Sequence, residues 1–541
     1  MKKLLTFSIL VLSALTLSAQ GTIEDYNNAF STRRLYSNKM THGNVSVRHP
    51  YQSPASKMTY SVFNGDSTVW YEVDITTGSK TLIPDPTVHD REQRGPTGDS
   101  YHWMVVRDEK DGRAENPADK STAIIHRANN LYIVTNGDDN TASAITTDGT
   151  DTCYYSSWGK WSKDGKYYAT VLIKPAPKRF VTYPLSSPAT QVQPIYSQQE
   201  YAKPGDSLNY RIPVVIDVAN KQTIYPKSTA LFRSQYFVTA PEWDESGQTL
   251  TFEFNERGHK AYRVLEMDLS GNIRTLIEER NDKYVAYSRN LRRDLDATHI
   301  LWKSDRDGHA HLYLYDRKKN RLTQITKGDY WVRDVQHCEI DPKGKGYIIF
   351  SANGMNCKNI GTPTSSLDGR IPEEDPYNIH YYRIDLNGKN LVALTPERGH
   401  HNATFDRERK VLIDTYSTVD TPPTTVLRSA ADGKIISTLE TADISRLKET
   451  GWQAPEIFVA PGRDGKTDMW GIIQRPRNFD PSKKYPVIEY IYSGPGDQYV
   501  PKSFTPWLWN LADLAELGFI VVQLDAMTTS YLSLIHISEP T

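Results

Sequence analysis

Cysteine, long apolar runs and an excess charge of one sign are all scarce in this sequence. The 541 residues include three cysteines, and 64 Lys and Arg residues against 65 Asp and Glu residues leave a formal net charge of −1. Without a long basic or acidic run, nucleic acid and anionic membrane surfaces are disfavoured as main partners. No CxxC motif or histidine-rich spacing indicates a zinc site, so we expect no metal and no cofactor.

The three cysteines are Cys153, Cys338 and Cys357. Because the number is odd, at least one of them is unpaired or paired outside the chain. Cys338 and Cys357 flank a predicted hairpin and could form a disulfide in an oxidising compartment, but the sequence leaves this pairing open. The adjacent residues His400 and His401 are interpreted as part of a polar loop rather than as a pair of metal ligands.

The N-terminus carries the only apolar stretch of this sequence that suggests export or membrane insertion. Met1-Lys2-Lys3 is positively charged, residues 4–17 are apolar, and Ala19 is a small residue at a cleavage position. This pattern predicts a secretory signal peptide over residues 1–19, followed by an N-terminal segment over residues 20–44. A retained membrane anchor is the alternative, although no basic stop-transfer flank follows. We therefore expect an exported protein, periplasmic or extracellular, without a membrane attachment after cleavage.

Two short patterns alternate from about residue 45 to residue 440. One is a turn that leads into a strand, and the other is a strand that ends in aspartate. The first occurs at 161–168, 243–247, 340–344 and 405–410, and the second at 73–74, 216–217, 267–268, 315–316 and 384–385. Aspartate suits such turns because its carboxylate bonds the nearby backbone, and glycine suits them because it accepts positive φ.

The composition and the spacing of these patterns predict a mainly β fold. Hydrophobic residues make up only 38% of the chain, whereas tyrosine (33), glycine (32) and proline (31) are plentiful. A period of roughly 50 residues suits a four-stranded propeller blade, so we expect a β-propeller of about seven or eight blades over residues 45–450. An array of two-sheet sandwiches is the alternative.

The C-terminal part has a different pattern. Residues 457–459 and 469–474 predict a hairpin around the turn at 462–465. Residues 484–490 are an apolar and aromatic run between turns, residues 508–517 are apolar at helical spacing, and residues 519–525 are again apolar. A strand, a helix and a strand in this order predict a parallel βαβ unit with two buried strands.

In this order the motifs resemble the prolyl oligopeptidase family, in its dipeptidyl peptidase IV-like branch. The residues that carry the resemblance extend to about Met527 and include SDRDGHAHLYLY at 304–315, QITKGD at 324–329, NFDPSKKYP at 478–486 and YSGP at 492–495. The resemblance implies a propeller that caps an α/β-hydrolase domain and a Ser-Asp-His triad that cleaves peptides or oligopeptides. Residues 451–527 would then be the start of the hydrolase domain.

The triad that the resemblance implies is not found in the sequence. A serine hydroxyl becomes a good nucleophile when a histidine takes its proton and an aspartate orients that histidine. In α/β-hydrolases the serine lies in G-x-S-x-G, with the acid and the histidine later in the chain. The 541 residues contain no G-x-S-x-G. We therefore expect an incomplete hydrolase domain and an inactive fragment of a serine peptidase.

Tyr492 is the candidate site residue that remains. The resemblance implies that the hydroxyl of a tyrosine at this position donates a hydrogen bond to the oxyanion of the tetrahedral intermediate. In comparable enzymes such a donor lowers the activation barrier by about 3 kcal/mol. The alternative is a strand residue whose ring lies in the core.

The sequence departs from the family pattern at the position where the amine-binding motif is expected. Members of the branch that remove dipeptides hold the substrate amine with paired glutamates, but the corresponding residues 154–160 read YYSSWGK. Strict dipeptidyl specificity is therefore left open, and a broader peptidase is an alternative.

Two further stretches look like sites and are interpreted otherwise. Residues 205–208 spell GDSL, the nucleophile block of one esterase class, but without the required strand-helix context or the late Asp-x-x-His, so we expect a turn. Residues 532–541 resemble a translated sequencing-library adapter, so residues 528–541 are interpreted as a non-native tail that supplies no catalytic residue. A non-catalytic propeller that binds peptides remains the alternative function, and a homodimer is left open.

Overall fold

A computed structural model describes residues 22–86, 113–287, 292–355, 374–465, 467–492, 498–508, 510–527 and 529. The predicted signal peptide, Cys357 with its proposed disulfide, and the predicted tail apart from Thr529 lie outside the described residues. Within the described residues, no helix combines the length and the apolarity that crossing a membrane requires. The predicted domain boundaries stay predictions.

Short strands dominate the chain, so the prediction of a mainly β fold is confirmed. The first group is β1 (Ser46–Val47), β2 (Lys57–Phe63), β3 (Thr68–Asp74), β4 (Lys80–Ile83), β5 (Arg113–Glu115), β6 (Thr122–Arg127), β7 (Asn130–Thr135) and β8 (Asp138–Ala144). The second group is β9 (Tyr154–Trp161), β10 (Tyr167–Lys174), β11 (Phe180–Leu185), β12 (Ile195–Glu200), β13 (Tyr210–Asp217), β14 (Gln222–Ile224), β15 (Gln235–Val238), β16 (Glu242–Trp243), β17 (Thr249–Glu256), β18 (Ala261–Asp268) and β19 (Ile273–Arg280).

The remaining strands follow in the same order. They are β20 (Arg292–Asp294), β21 (His299–Ser304), β22 (His311–Asp316), β23 (Arg321–Gln324), β24 (Trp331–Ile340), β25 (Gly346–Asn353), β26 (Ile379–Asp385), β27 (Val392–Ala393), β28 (His400–Phe405), β29 (Val411–Ser417), β30 (Thr424–Ser429), β31 (Ile435–Thr441), β32 (Glu456–Pro461), β33 (Asp468–Gln474), β34 (Val487–Tyr490) and β35 (Ile520–Leu524). The described α-helices are α1 (Ile23–Tyr36), α2 (Ser445–Lys448) and α3 (Leu511–Glu516), and short 3-10 helices span Pro50–Gln52 and Ala230–Ser234.

The chain divides into two compact units. One unit comprises Met1–Gly95, Asp307–Tyr313 and Gln324–Thr541, and the other comprises Pro96–Arg306 and Leu314–Thr323. The first unit contains three antiparallel four-stranded sheets, ordered β1-β2-β3-β4, β24-β25-β26-β27 and β28-β29-β30-β31, and a mixed sheet ordered β32-β33-β35-β34.

The second unit repeats the same kind of sheet. Its sheets are ordered β5-β6-β7-β8, β14-β13-β10-β9 and β15-β17-β18-β19, with β16 paired to β17 and a separate ribbon of β11 and β12. Four-stranded antiparallel sheets in series are typical of propeller blades. The number of blades stays a prediction, because segments of the chain lie outside the described residues.

Aspartates end the strands where the sequence pattern predicted turns. Strands β3, β13, β18, β22 and β26 each end at the predicted aspartate. In the first of these turns, Asp74 Oδ1 accepts the backbone N–H of Thr77 at 2.8 Å and of Thr76 at 3.0 Å. Hydrogen bonds from Thr77 and then Thr76 hold the pKa of Asp74 below its ordinary value. The carboxylate thus satisfies backbone N–H groups of the turn, which lie outside the strand pairing.

The turns of the other pattern, between the first and second strands of a sheet, are stabilised in the same way. Asp406 Oδ1 accepts the backbone N–H groups of Lys410 at 2.7 Å and Val411 at 2.8 Å. In the turn between β9 and β10, Gly165 has φ of +70°, and a Cβ there would lie 2.1 Å from Asn116 Oδ1. Glycine is therefore required at this position for both backbone and steric reasons.

The first sheet of the first unit packs against the last antiparallel sheet of that unit. Tyr60 and Val73 on the first sheet share one buried apolar cluster with Ile413 and Leu427 on the last. This contact joins the two ends of the repeat region, as the closure of a propeller requires.

A buried carboxylate adds a polar contact between the same two sheets. Glu440 accepts hydrogen bonds from Lys80 Nζ at 2.7 Å and from the Tyr60 hydroxyl, and it pairs with His42 Nδ1 at 2.7 Å. Burial acts to raise the pKa of Glu440, but the hydrogen bonds from Lys80, Tyr60 and His42 outweigh it, so the pKa is lowered. Lys80 and Tyr60 on the first sheet, together with His42 before β1, therefore favour the charged form of Glu440.

The C-terminal part confirms the predicted hairpin and βαβ unit and corrects one detail. β32 and β33 pair as a hairpin, and β34 and β35 pair in parallel with α3 between them. The prediction that both strands are buried was wrong for β34, where Val487 is 62% exposed. The sheet order places β34 at an edge of the described sheet, whereas β35 lies between two strands and buries Val521.

The N-terminal helix α1 packs against the βαβ unit. Thr22 and Asp25 form a capping box at its start, and Tyr36 at its end is buried with Phe504 and Ala512. The capping box satisfies free backbone donors at the helix start. The predicted segment 20–44 therefore belongs structurally with residues far along the chain.

Substitution of Glu440 by glutamine tests the contact between the first and last sheets. We expect Glu440→Gln to lower the free energy of unfolding at pH 7 by about 2 kcal/mol, because Lys80 loses its charged partner in a partly buried site. A depressed folded-state pKa gives stability that is present above the ordinary value of 4.5 and is lost as the pH falls through the lower folded value. Urea unfolding at pH 7 and below pH 4.5 measures both effects.

Glu200→Gln is the matched control, because the Glu200 side chain is 56% exposed on β12. It should leave the unfolding free energy close to that of the wild type at either pH. Equal stability of Glu440→Gln and the wild type at pH 7 would contradict the proposed importance of this contact.

Candidate functional site

Tyr492 follows β34 by two residues and is 64% exposed. Its ring therefore does not lie in the core, as the alternative interpretation required. The ring of Tyr499 packs against it, with the centroids 4.8 Å apart and the planes inclined by 35°. The hydroxyls of Tyr499 and Tyr490 are 2.9 Å apart. The phenol of Tyr492 thus has an aromatic neighbour on one side and solvent on the other.

Side chains at the end of β35 bind the backbone of Tyr499. Asp525 Oδ1 accepts the backbone N–H of Tyr499 at 2.7 Å and that of Val500 at 3.1 Å. Gln523 Nε2 donates to the carbonyl of Tyr499 at 3.1 Å. Because the two side chains are two residues apart along an extended segment, both face the same side. Both are buried, so the turn residue rests on a rigid part of the sheet.

Asp525 and Asp375 share the buried ammonium of Lys502. Lys502 Nζ lies 2.9 Å from Asp375 Oδ2, 3.4 Å from Asp525 Oδ2 and 4.9 Å from the centre of the Tyr377 ring. Burial acts to lower the pKa of Lys502, but the two carboxylates outweigh it and the pKa is raised. Burial raises the pKa of Asp525 despite the nearby lysine. A charged Lys502 therefore links the segment before β26 to the end of β35.

A cavity beside Lys502 has a volume of about 20 Å³. Its lining includes Asp375, Trp470 and Val500. This volume holds about one water molecule, so the cavity is too small for a peptide. The charges around Lys502 are therefore interpreted as a structural cluster and not as a substrate pocket.

A second buried polar cluster corrects the interpretation of His400 and His401 as loop residues. Both residues begin β28, and His401 Nδ1 lies 3.0 Å from the carboxylate of Asp414 on β29. Arg428 on β30 donates to Asp414 at 2.8 Å and to Glu397 at 3.2 Å. Polar partners on neighbouring strands allow a histidine pair to lie inside a sheet, which residue types alone did not indicate. In the described parts of the chain, no group of His, Cys, Asp and Glu side chains is arranged to hold a metal ion.

The stretch compared with the amine-binding motif lies in β9. Tyr155 on this strand is fully buried, and its hydroxyl lies 3.0 Å from Asp148 Oδ1 and 3.1 Å from the Tyr225 hydroxyl. Tyr225 also donates to Asp148 Oδ2 at 2.7 Å. Asp148 thus accepts hydrogen bonds from two tyrosine hydroxyls, and Asp151, the acid nearest to this stretch in sequence, accepts one from Asn129 Nδ2 at 2.7 Å. Burial raises the pKa of Tyr155.

The GDSL stretch is a turn between β12 and β13, as predicted. The backbone N–H of Asp206 bonds the Lys203 carbonyl at 3.0 Å, and Asp206 Oδ2 accepts the backbone N–H of Lys203 at 2.8 Å. The aspartate side chain therefore stabilises the turn.

The sequence interpretation did not identify Tyr499, Lys502 or Asp525. Asp525 was recognised only as the end of a strand, and the two others lie in a connection without a periodic pattern. An aspartate directly after a buried strand was the available signal, because such a group needs partners inside the fold.

Comparison with known proteins supports the fold. The model of the N-terminal region of dipeptidyl peptidase IV matches residues 108–423. A protein described as a probable dipeptidyl-aminopeptidase B from Aspergillus fumigatus is 23% identical over 472 residues, which are 78% of this chain and 48% of that protein. A protein of the same description from Aspergillus oryzae is 32% identical over 163 residues, 29% of this chain and 18% of that protein.

A solved structure shows the same fold. The crystal structure of Porphyromonas gingivalis dipeptidyl peptidase 4 matches with a TM-score of 0.58 and 18% identity, over 94% of this chain and 74% of that one. The chain spans about half the length of the Aspergillus fumigatus relative, 48%.

The serial four-stranded sheets, together with the match to this solved structure, define a β-propeller protein with an additional mixed sheet. The family model matches more than half of the residues. The chain therefore belongs to the dipeptidyl peptidase IV family, the branch of the prolyl oligopeptidase family that its motifs predicted.

Removal of the buried cation tests the cluster around Lys502. We expect Lys502→Met to lower the free energy of unfolding by about 3–5 kcal/mol, because the buried Asp525 and the largely buried Asp375 lose their counter-charge. Adding Asp375→Asn should recover part of this loss, since one uncompensated charge is then removed. Urea unfolding of the single and double variants, analysed as a double-mutant cycle, measures the coupling.

Lys483→Met is the matched control, because the Lys483 side chain is 70% exposed beside Asp480. It should change the unfolding free energy by less than about 0.5 kcal/mol. Losses of equal size at the two lysines would refute the assignment of Lys502 as a buried structural cation.

Proposed function

We propose that this chain is the propeller-bearing part of an exported serine-type peptidase that hydrolyses peptides or oligopeptides by a Ser-Asp-His mechanism. The observation that carries the proposal is the exposed phenol of Tyr492 at the end of a parallel strand, in a chain of the dipeptidyl peptidase IV family. Family membership supports peptides as the substrate class, since the relatives named above are described as dipeptidyl-aminopeptidases.

Tyr492 is assigned the role of oxyanion donor. During peptide hydrolysis the carbonyl oxygen gains negative charge in the tetrahedral intermediate, and a donor already aimed at that position lowers the barrier. The hydroxyl of Tyr492 makes no hydrogen bond among the described residues, and its ring is held by Tyr499. It can therefore donate a hydrogen bond to a ligand without first breaking an internal one.

The nucleophile and its two partners are assigned to no residue of the printed sequence. The 541 residues lack G-x-S-x-G, and they cover 48% of the Aspergillus fumigatus relative. We propose that the source gene encodes the triad beyond these residues and that the 541-residue chain alone does not hydrolyse peptides. Export is proposed from the signal-peptide pattern at residues 1–19.

Specificity is proposed to be broader than strict removal of dipeptides. A substrate amine needs a carboxylate with free acceptor capacity, and residues 154–160 supply none. Of the acids close to this strand in sequence, Asp148 accepts hydrogen bonds from Tyr155 and Tyr225, and Asp151 accepts one from Asn129. Longer peptides with a blocked or distant amine would then be accepted as well as short ones.

A non-catalytic peptide-binding protein is the second candidate, favoured by the absence of G-x-S-x-G from the 541 residues. It predicts that peptides bind to the chain without hydrolysis and that the source gene encodes no triad. The reading frame of the source gene discriminates between the two candidates.

The reading frame and the role of Tyr492 can be tested together. We expect the source gene to encode G-x-S-x-G downstream, followed by an aspartate and a histidine, and its product to hydrolyse Ala-Pro-p-nitroanilide. Tyr492→Phe in that product should lower kcat by about 100-fold with little change in KM, because the lost donor acts in the transition state. Stopped assays at saturating substrate measure kcat.

Tyr196→Phe is the control, because Tyr196 is 83% exposed on β12. The proposal is refuted by a frame that ends near residue 541 without the motif. It is equally refuted if the 541-residue chain itself turns over the substrate and a serine-directed inhibitor abolishes that turnover.

A further inference from the structure

An exposed phenol is a poor oxyanion donor unless its ring is held in place. The donor must already point to the position of the developing charge, because reorganisation during the reaction costs free energy. Tyr492 lies outside regular secondary structure, and 64% of it is exposed. Its orientation therefore depends on what packs against its ring.

Tyr499 supplies that contact. The centroids of the two rings are 4.8 Å apart, within the range in which aromatic pairs attract each other. The hydroxyl of Tyr499 bonds to that of Tyr490 at 2.9 Å and is therefore directed to β34. The contact thus leaves the hydroxyl of Tyr492 available to a ligand.

Three groups hold Tyr499 itself. Its backbone N–H is bound by Asp525, its carbonyl by Gln523, and its hydroxyl by Tyr490. Tyr490 lies on β34, and the two others lie at the end of β35, which is the neighbouring strand. The position of the Tyr499 ring is therefore set by two paired strands of one sheet.

The carboxylate of Asp525 is in turn fixed by the buried cluster. Lys502 Nζ lies 3.4 Å from Asp525 and 2.9 Å from Asp375, and all three residues are buried or nearly so. A charged acceptor that is held in this way makes a stronger bond to a backbone N–H than a neutral one. The contacts form a continuous path from Asp375 to Tyr492.

We propose that Tyr499 is a positioning residue that holds the ring of Tyr492 in the orientation required of an oxyanion donor, with Asp525 and Gln523 fixing its backbone. This inference rests on the proposed function, in which Tyr492 stabilises the oxyanion. It extends that function to a residue that does not contact the reacting atoms. A residue with only a structural role would instead affect stability without affecting the environment of Tyr492.

The orientation of Tyr492 can be measured on the 541-residue chain without any catalysis. The chain is labelled with 3-fluorotyrosine, and the ¹⁹F resonance of Tyr492 is assigned as the one that Tyr492→Phe removes. We expect Tyr499→Leu to move this resonance to the position of free fluorotyrosine, because the shielding by the neighbouring ring is lost. Tyr499→Phe and Tyr490→Phe should each keep the resonance near its wild-type position, because both remove only the bond between the two hydroxyls and leave the ring of residue 499 packed on Tyr492.

Two controls separate positioning from unfolding. Tyr196→Leu removes a ring that is 83% exposed on β12 and should leave the Tyr492 resonance unchanged. Urea unfolding of Tyr499→Leu should give a free energy close to that of the wild type, because Tyr499 is 37% exposed. An unchanged Tyr492 resonance in folded Tyr499→Leu overturns the inference, as does an equal displacement in Tyr499→Phe and Tyr499→Leu.

Failure of the inference and failure of the proposed function give different results. In the product of the source gene that carries the triad, Tyr499→Leu should lower kcat with little change in KM, and Tyr499→Phe should restore most of kcat. If the resonance moves as expected but Tyr492→Phe leaves kcat unchanged, the proposed function is wrong while the contact is real. If Tyr492→Phe lowers kcat but the resonance does not respond to Tyr499, only the positioning role is wrong.

Discussion

The ammonium of Lys502 between Asp375 and Asp525 is the interaction on which the candidate site depends. The buried carboxylate of Asp525 and the largely buried one of Asp375 would repel each other without it, and the lysine would not remain charged inside the protein without them. The same Asp525 binds the backbone of the turn that carries Tyr499, and Tyr499 packs on Tyr492. A structural ion cluster and a surface phenol are thereby parts of one arrangement, although only the phenol is accessible to a ligand.

Local patterns predicted most of the fold because local chemistry determines it. Each strand predicted to end in aspartate does so, since a carboxylate next to a turn satisfies backbone donors within two to four residues. The βαβ unit was also predicted, because its apolar spacing changes from strand to helix and back. The exposure of β34 could not be predicted in this way, because an edge strand and an inner strand have similar residues and differ only in their neighbours.

The candidate site was less predictable, and the reason is physical. Tyr492 was identified by its motif, but its neighbours Tyr499, Lys502 and Asp525 are brought together by tertiary contacts between segments without periodicity. His401 was assigned to a loop because two adjacent histidines are polar, yet Asp414 on the next strand provides the partner that permits burial. Such pairings depend on sheet register, and a single sequence does not contain the register.

The contact between the first and last sheets of the first unit also has a consequence for biosynthesis. Tyr60 and Glu440 are separated by 380 positions along the chain. A ribosome therefore completes nearly the whole repeat region before the first sheet can meet its partner, and until then one apolar face of that sheet stays uncovered. Contacts of such long range form slowly and leave nascent chains prone to association, so this protein is expected to need chaperone protection during synthesis.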